Sequence, residues 1–337
     1  MEELALYSPS EVQQEAHDCQ AGQILYGGTA GCGKTMWLRW DPIIVQLYDW
    51  HGLPGEHTRY VQARARGEEF RSKAWVLHVR ENLNQLLQTI EYVKDVATKI
   101  DPGASWSESR NLLEFSCGMK YQFGHLDHES SWRAYDTNQY TGVYLDEAVN
   151  LWEAQFMGLW GRRRIGDPIL KQKLRFCLAS NPDAPARGQW VKRLFVDPAP
   201  EGRKLLEFRH KRFDGSVGVN SRIYIPAYLS DNPDKEFAQQ YEDVLRALPK
   251  HVMEARLFCK WDVIEGAYFE SEWIPSVHVI RPFRCAHGLE TCPSCSYTCG
   301  VPDHWPKFRV MDWGYKSPCP VHWVAVNEDG DLIFFRE

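Results

Sequence analysis

The sequence predicts an α/β fold, a three-layer sandwich around a mainly parallel sheet. Three observations point to it. An apolar run, Ile24-Leu25-Tyr26, passes through a glycine-rich turn, Gly28 to Thr35, into the helix-forming Met36-Trp37-Leu38-Arg39. A second apolar run, Val143-Tyr144-Leu145, ends on Asp146-Glu147. Between them strand-like and helix-like segments alternate, the pattern of parallel strands joined by helical crossovers, which bind phosphate groups at the strands' carboxyl ends.

The first run and its turn read Gly28-Thr29-Ala30-Gly31-Cys32-Gly33-Lys34-Thr35, the G-x-x-x-x-G-K-[ST] pattern of a P-loop. Gly28, Gly31 and Gly33 let the backbone wrap a phosphate with its N–H groups inward, Lys34 reaches the β- and γ-phosphates, and the Thr35 hydroxyl ligates Mg²⁺. The helix that follows adds the positive end of its dipole. Ahead of the strand, Pro9 to Gln14 includes Gln13, whose amide has one donor side and one acceptor side to offer an adenine.

Next, His51 to Ser72 holds Arg59, Arg64, Arg66 and Arg71 without clear periodicity and is expected to be a mobile loop. Ala74 to Arg80 reads as a strand, and Glu81 to Ile100 as a helix with apolar residues at helical spacing. Val143 to Ala148 has the Walker B form: Asp146 holds Mg²⁺, and Glu147 orients and deprotonates the attacking water. Leu174 to Pro182 reads as a strand that can lie beside the P-loop strand. Its end, Ser180-Asn181, is either a γ-phosphate sensor that couples hydrolysis to movement or a plain strand-to-turn exit before Pro182. Phe237, Tyr241, Val244, Leu245 and Leu248 predict a helix of a small lid packed on the core.

Composition limits what the protein can be. With 337 residues the chain exceeds one average domain, and 44% hydrophobic with 25% charged residues is ordinary for globular proteins. No stretch approaches the ~18 uninterrupted apolar residues of a membrane helix, and Met1-Glu2-Glu3 is acidic where a signal peptide is basic, so a soluble intracellular protein is expected. A formal charge of −6 excludes a surface that is basic all over, and any nucleic-acid contact must be local. Basic residues do concentrate between Arg162 and Arg212, as a local contact or as solvated faces.

Of the 10 cysteines, Cys285, Cys292, Cys295 and Cys299 cluster with His287 among prolines. With Cys285 or His287 as the fourth ligand, the C-x₂-C spacing fits tetrahedral Zn²⁺ in a structural role. The other reading is a flexible insertion with free thiols. Farther on, Phe308 to Met311, Pro320 to Asn327 and Asp331 to Phe335 read as strands, the last two joined by a tight turn at Glu328-Asp329-Gly330.

In this order, several pieces resemble the large subunit of tailed-phage terminases. They are Gln13 to His17, the P-loop, Phe123-Gly124-His125-Leu126, Asp146-Glu147-Ala148, Ser180-Asn181-Pro182, Trp190 to Phe195, Asp231-Asn232-Pro233, Lys260-Trp261-Asp262 and Arg309 to Tyr315. The resemblance implies a P-loop ATPase of the additional-strand, catalytic-glutamate type with a small lid, followed by the truncated start of an RNase-H-like nuclease. It places the ATPase core at 1–210, the lid at 211–265, the cysteine-rich insertion at 266–305 and the nuclease strands at 306–337.

It further implies ATP-driven packaging of double-stranded viral DNA by a ring, a pentamer by resemblance and a monomer in dilute solution. The ring works with the portal protein and the small terminase subunit in the cytoplasm of an infected bacterium, without membrane. Asp312 becomes one of three nuclease carboxylates that bind Mg²⁺ or Mn²⁺. Because the chain ends at Glu337, too little sequence follows for a complete nuclease site, and a fragment is expected.

Many relatives carry an arginine within the P-loop where this chain has Ala30. Charge neutralisation must then come from Arg80, Arg133, Arg162, Arg163 or Arg164, in the same or a neighbouring subunit. A nucleic-acid helicase with a similar core is the rival reading, and it requires a second motor domain in place of Asp312-Trp313-Gly314. A scaffold that binds ATP without hydrolysing it has no need of Glu147.

Overall fold

The computed structural model describes residues 6–182, 186–261, 301–302, 304–311 and 321–336. The chain divides into two compact units, Met1–Glu265 and Gly266–Glu337.

In the first unit the strands are β1 (Gln23–Gly28), β2 (Trp75–Arg80), β3 (Ser105–Ser107), β4 (Leu112–Glu114), β5 (Lys120–His125), β6 (Gly142–Leu145), β7 (Arg175–Ser180), β8 (Leu206–Lys211) and β9 (Val217–Ala227). The helices are α1 (Glu11–Asp18), α2 (Lys34–Pro42), α3 (Glu56–Ala65), α4 (Leu87–Ile100), α5 (Glu153–Trp160), α6 (Pro168–Gln172), α7 (Gln189–Val191), α8 (Lys235–Arg246) and α9 (Lys250–Phe258). The strands form one sheet in the order β3-β4-β5-β2-β6-β7-β1-β9-β8. From β5 to β9 every neighbouring pair is parallel, and short antiparallel pairs close both edges.

Both faces of this sheet are buried, which is why its strands are apolar at consecutive positions rather than alternately. Ile24, Tyr26, Tyr144 and Cys177 join one core with Trp37 and Leu38 of α2 and Ile90, Val93 and Ala97 of α4. Leu25, Val143, Leu145, Phe176 and Leu178 join the other with Phe156 and Leu159 of α5 and Trp190 and Phe195. The expected three layers are therefore present.

One buried ionic group pins the layers beneath the P-loop helix. The Asp41 carboxylate, fully buried near the end of α2, receives Arg175 of β7 (Nη2–Oδ1 2.7 Å), His17 of α1 (Nδ1 2.9 Å) and Tyr144 of β6 (OH 2.8 Å). Burial by itself raises a carboxyl's pKa, but Arg175 and His17 outweigh it and hold Asp41 below its ordinary value.

Three expectations are corrected. The segment expected to be a mobile loop contains α3, where Arg59 pairs with Glu56 in its own helix (2.7 Å) and with Asp167 at the start of α6 (2.8 Å). The helix expected from Glu81 begins as a 3₁₀ turn at Leu83 and becomes α-helical at Leu87. The lid expected from 211 begins later, because β9 pairs with the P-loop strand from Gln23↔Arg222 to Gly28↔Ala227 and so belongs to the main sheet. Pro226 is tolerated there because β8 stops at Leu206↔Arg222, so β9 has a single strand neighbour at that point. The lid proper is α8 and α9, where Leu229, Ala238 and Leu245 form a small core with Ala30 of the P-loop.

In the second unit, β10 (Lys307–Met311), β11 (Val321–Val326) and β12 (Leu332–Arg336) form an antiparallel meander, close to the three strands expected. Asn327 and Gly330 close the tight turn between the last two. Among the described residues no helix is long and apolar enough to cross a membrane.

Candidate nucleotide site

The glycine-rich turn leaves β1 at the carboxyl edge of the sheet and ends on Gly33, the residue that precedes the first turn of α2 in the left-handed conformation (φ 86°). A side chain there would be strained, and its Cβ would lie 2.5 Å from Gln13 Nε2. Gln13 fills that space. Its Nε2 donates to Gly33 O (3.0 Å), and its Oε1 accepts from Ser10 N (2.9 Å), as half of a capping box that starts α1. The Gln13 amide thus clamps α1 onto the P-loop while lining the cavity described below.

Lys34 is buried and folds back on the turn, with Nζ donating to Thr29 O at 2.6 Å. The lid reaches the same turn: Asn232 Nδ2 donates to Gly31 O (2.7 Å), and Ala30 N donates to Arg256 O of α9 (2.8 Å). Two strands away, Asp146 follows β6 and is buried. Its Oδ1 accepts from Glu147 N (3.1 Å), while Oδ2 accepts no hydrogen bond and faces Arg80 Nη1 at 3.4 Å. Burial pushes the Asp146 carboxyl up to about 6, against the opposing pull of Arg80. Glu147 has a left-handed backbone (φ 51°), and its Oε1 lies 3.5 Å from Arg80 Nη2.

A cavity of about 640 Å³ is lined by Gln13, Gly31, Gly33, Lys34, Thr35, Glu147 and Asn181. Tyr7, Arg39, Tyr92, Asn232, Phe237 and Tyr241 also line it. A buried carboxylate oxygen without a donor, with a threonine hydroxyl on the adjoining cavity, is the hard-oxygen donor set that suits Mg²⁺. The strand between the two motifs is β7, which lies between β6 and β1 and ends at Ser180. Ser180 Oγ accepts from Val149 N (3.2 Å) just after the Walker B turn, and the buried Asn181 Oδ1 has no partner.

No family model and no curated protein matches the sequence. Solved structures do match. The large terminase of a thermophilic bacteriophage superposes with a TM-score of 0.52 at 13% identity, covering 96% of this chain and 66% of that one. The same protein in complex with ADP gives 0.51 at 13%, covering 95% and 65%.

The fold is that of a phage large terminase.

The chain spans just under two thirds of the length of those terminases. As the sequence predicted for the run from Leu174, β7 lies beside the P-loop strand, paired from Ile24↔Cys177 to Gly27↔Ser180.

Of the five arginines considered, Arg80 alone approaches the two carboxylates within this chain. Arg133 lies over the Trp132 ring, beside a different surface lined by Met157 and Gly158. Arg162, Arg163 and Arg164 sit at the amino ends of the strands, opposite the P-loop. Arg163 donates to Gly22 O (2.8 Å) ahead of β1, Arg162 pairs with Asp136, and Arg164 is exposed. Asp312, Cys285, His287, Cys292, Cys295, Cys299 and Glu337 lie outside the described residues, and among the described residues no group of three His, Cys, Asp or Glu is placed to hold a metal.

Sequence reasoning missed Arg39, whose guanidinium lies 4.8 Å from the Tyr92 ring centre and donates to Thr89 Oγ1 (3.0 Å). It also missed the hold of Asn232 on Gly31. The Asp231-Asn232-Pro233 triplet was the available signal, without a role attached.

Proposed function

We propose that this chain is an ATP-hydrolysing motor that translocates double-stranded viral DNA into a procapsid. The observation that carries this reading is the gathering of Lys34, Thr35 and Glu147 on one cavity, where Glu147 directly follows Asp146 and its buried, unpartnered oxygen. That the thermophilic phage's terminase has been solved in complex with ADP supports nucleotide binding by this fold.

On this reading Lys34 exchanges its bond to Thr29 O for the charged β- and γ-phosphate oxygens, a stronger partner for an ammonium. Thr35 and Asp146 hold Mg²⁺, which supplies positive charge against the phosphates. Glu147 accepts the proton of the attacking water. Arg80 stands at both carboxylates and orients Glu147 from the neighbouring strand. Ser180 and Asn181 link the γ-phosphate end to the segment after β6, so that hydrolysis is felt there.

The cysteine-rich segment is proposed to hold one structural Zn²⁺, and Asp312 to belong to a nuclease that uses Mg²⁺ or Mn²⁺ in a longer protein. The portal protein, the small terminase subunit and a homo-oligomeric ring in the bacterial cytoplasm are the partners and setting proposed with it. The test is packaging itself. Purified chain is mixed with portal-bearing procapsids, linear duplex DNA and ATP, and nuclease-protected DNA is measured. ATP-dependent protection that Lys34→Ala abolishes is expected. Protection that persists without ATP would refute the proposal.

A further inference from the structure

The sheet ends on a feature that the nucleotide site does not use. β8 and β9 form a hairpin that is paired from Leu206↔Arg222 to Lys211↔Val217, whereas β9 joins β1 only from Arg222 onward. The hairpin therefore projects past the amino end of β1, on the side of the sheet away from the P-loop. It is tethered at its base, where Ser221 Oγ accepts from Gly22 N (2.9 Å) and Gly22 O accepts from Arg163. The Arg162-Arg163-Arg164 segment thus adjoins the base of the ribbon.

Its side chains combine cations with exposed apolar residues. Arg209 and Lys211 share one face, across from Val219 and Val217. Arg212 and Phe213 form the tip, where Arg212 N donates to Ser216 O (2.8 Å) and Gly215 N to Arg212 O (3.0 Å). Phe213 is fully exposed, and Phe208, Val217 and Val219 are each about half exposed. Of the hairpin's two acids, Asp214 is engaged by Ser216 within the turn, and Glu207 lies 3.4 Å from Arg209 at the base. Lys211 has no ion-pair partner among the described residues. Residues 162–212 carry 14 Lys and Arg against 5 Asp and Glu in a chain whose net charge is −6.

We infer that this hairpin is a duplex-DNA contact, with Arg209, Lys211 and Arg212 on phosphates and Phe213 against the groove. The inference rests on the motor reading for its partner and on charge and shape for its location. A two-stranded ribbon is one of the two elements that the major groove admits, exposed cations supply the phosphate contacts, and apolar tips wedge at base steps. A chain of net negative charge gains such attraction only where its cations are concentrated, and on this ribbon they stand out from the body of the sheet.

The experiment measures binding of the full chain to a blunt 30-base-pair duplex by fluorescence anisotropy across a salt series. Wild type is compared with Arg209→Ala/Lys211→Ala/Arg212→Ala, with Phe213→Ala, and with a control, Lys94→Ala/Lys99→Ala, on α4. Each phosphate contact contributes about 0.9 to the slope of log K against log salt, so the triple variant should lose about 2 to 3 from that slope. It should bind roughly 10²-fold more weakly at 0.1 M salt. Phe213→Ala should keep the slope and weaken binding several-fold, and the α4 control should match wild type.

An unchanged slope in the triple variant, an equal loss in the control, or no binding by wild type at 50 mM salt would overturn the inference. So would a changed sedimentation coefficient with unchanged DNA binding, which would make the hairpin a contact between copies of this chain. DNA-free ATP hydrolysis by the triple variant separates the two readings. Hydrolysis with an unchanged slope sinks the hairpin and leaves the motor, whereas a lost slope in a chain that never hydrolyses ATP sinks the motor and leaves the hairpin.

Discussion

Asp146→Asn should stabilise the nucleotide-free protein while removing its function. The carboxylate is buried, one of its oxygens accepts no hydrogen bond, and its pKa is pushed from 3.8 up to about 6. A raised carboxyl pKa means that the folded state binds more protons than the unfolded state between the two values, so stability falls as pH rises from about 4 to about 6 and the penalty is constant above that. A difference of about two units amounts to about 3 kcal/mol at neutral pH. Asparagine escapes that penalty, but its amide donors face Arg80 without an acceptor, which takes back about 1–2 kcal/mol.

The net expectation is about 1–2 kcal/mol of added stability at pH 7.5, shrinking to a loss or to nothing by pH 4. Urea unfolding of apo protein in EDTA, followed by tryptophan fluorescence at both pH values, measures it. With Mg²⁺ and ATP the order should reverse, because only wild type gains ligand stabilisation. A variant less stable than wild type by more than 1 kcal/mol at pH 7.5, or a difference that ignores pH, would refute the reasoning.

Lys34→Ala should lower ATP affinity by at least tenfold in a nucleotide titration, because the ammonium is the buried cation on the cavity, and unchanged affinity would count against the P-loop assignment. Gly28→Ala should unfold the first unit at markedly lower temperature, because its Cβ would sit 1.8 Å from Ala227 O in the β1–β9 pair; a melting temperature within 2 °C of wild type would contradict that packing. Elemental analysis of protein purified without chelator should find about one zinc per chain, and none, together with freely titrating Cys285, Cys292, Cys295 and Cys299, would leave that segment without a metal.

The readable parts of the fold announced themselves locally. β1, β6 and β7 are buried apolar runs ending in glycine, carboxylate or small polar residues, and each feature lies within a few positions of the next. α3 gave no such sign. Gly55 provides no side-chain cap, only Glu56 and Ala63 are buried, and the salt bridge that fixes the helix reaches from Arg59 to Asp167. The 210/211 boundary failed for a similar reason, since a proline near the end of β9 weakens its strand signal while its partner β1 lies about 200 residues earlier.

Among the arginines, sequence could nominate Arg80 but not choose it. That choice comes from register: Val79 pairs with Leu145, which sets the next residues, Arg80 and Asp146, side by side. Arg39 and Tyr92 likewise meet only because α2 and α4 pack on the same face of the sheet.

The central claim is that Glu147 activates water in a site that Lys34, Thr35 and Asp146 build for ATP. The most direct measurement is Glu147→Gln, with ATP affinity and turnover determined on the same preparation. The amide can still hold a water but cannot take its proton, so affinity should stay within about threefold of wild type while turnover falls by about 10²–10⁴. Turnover within threefold of wild type would contradict the account.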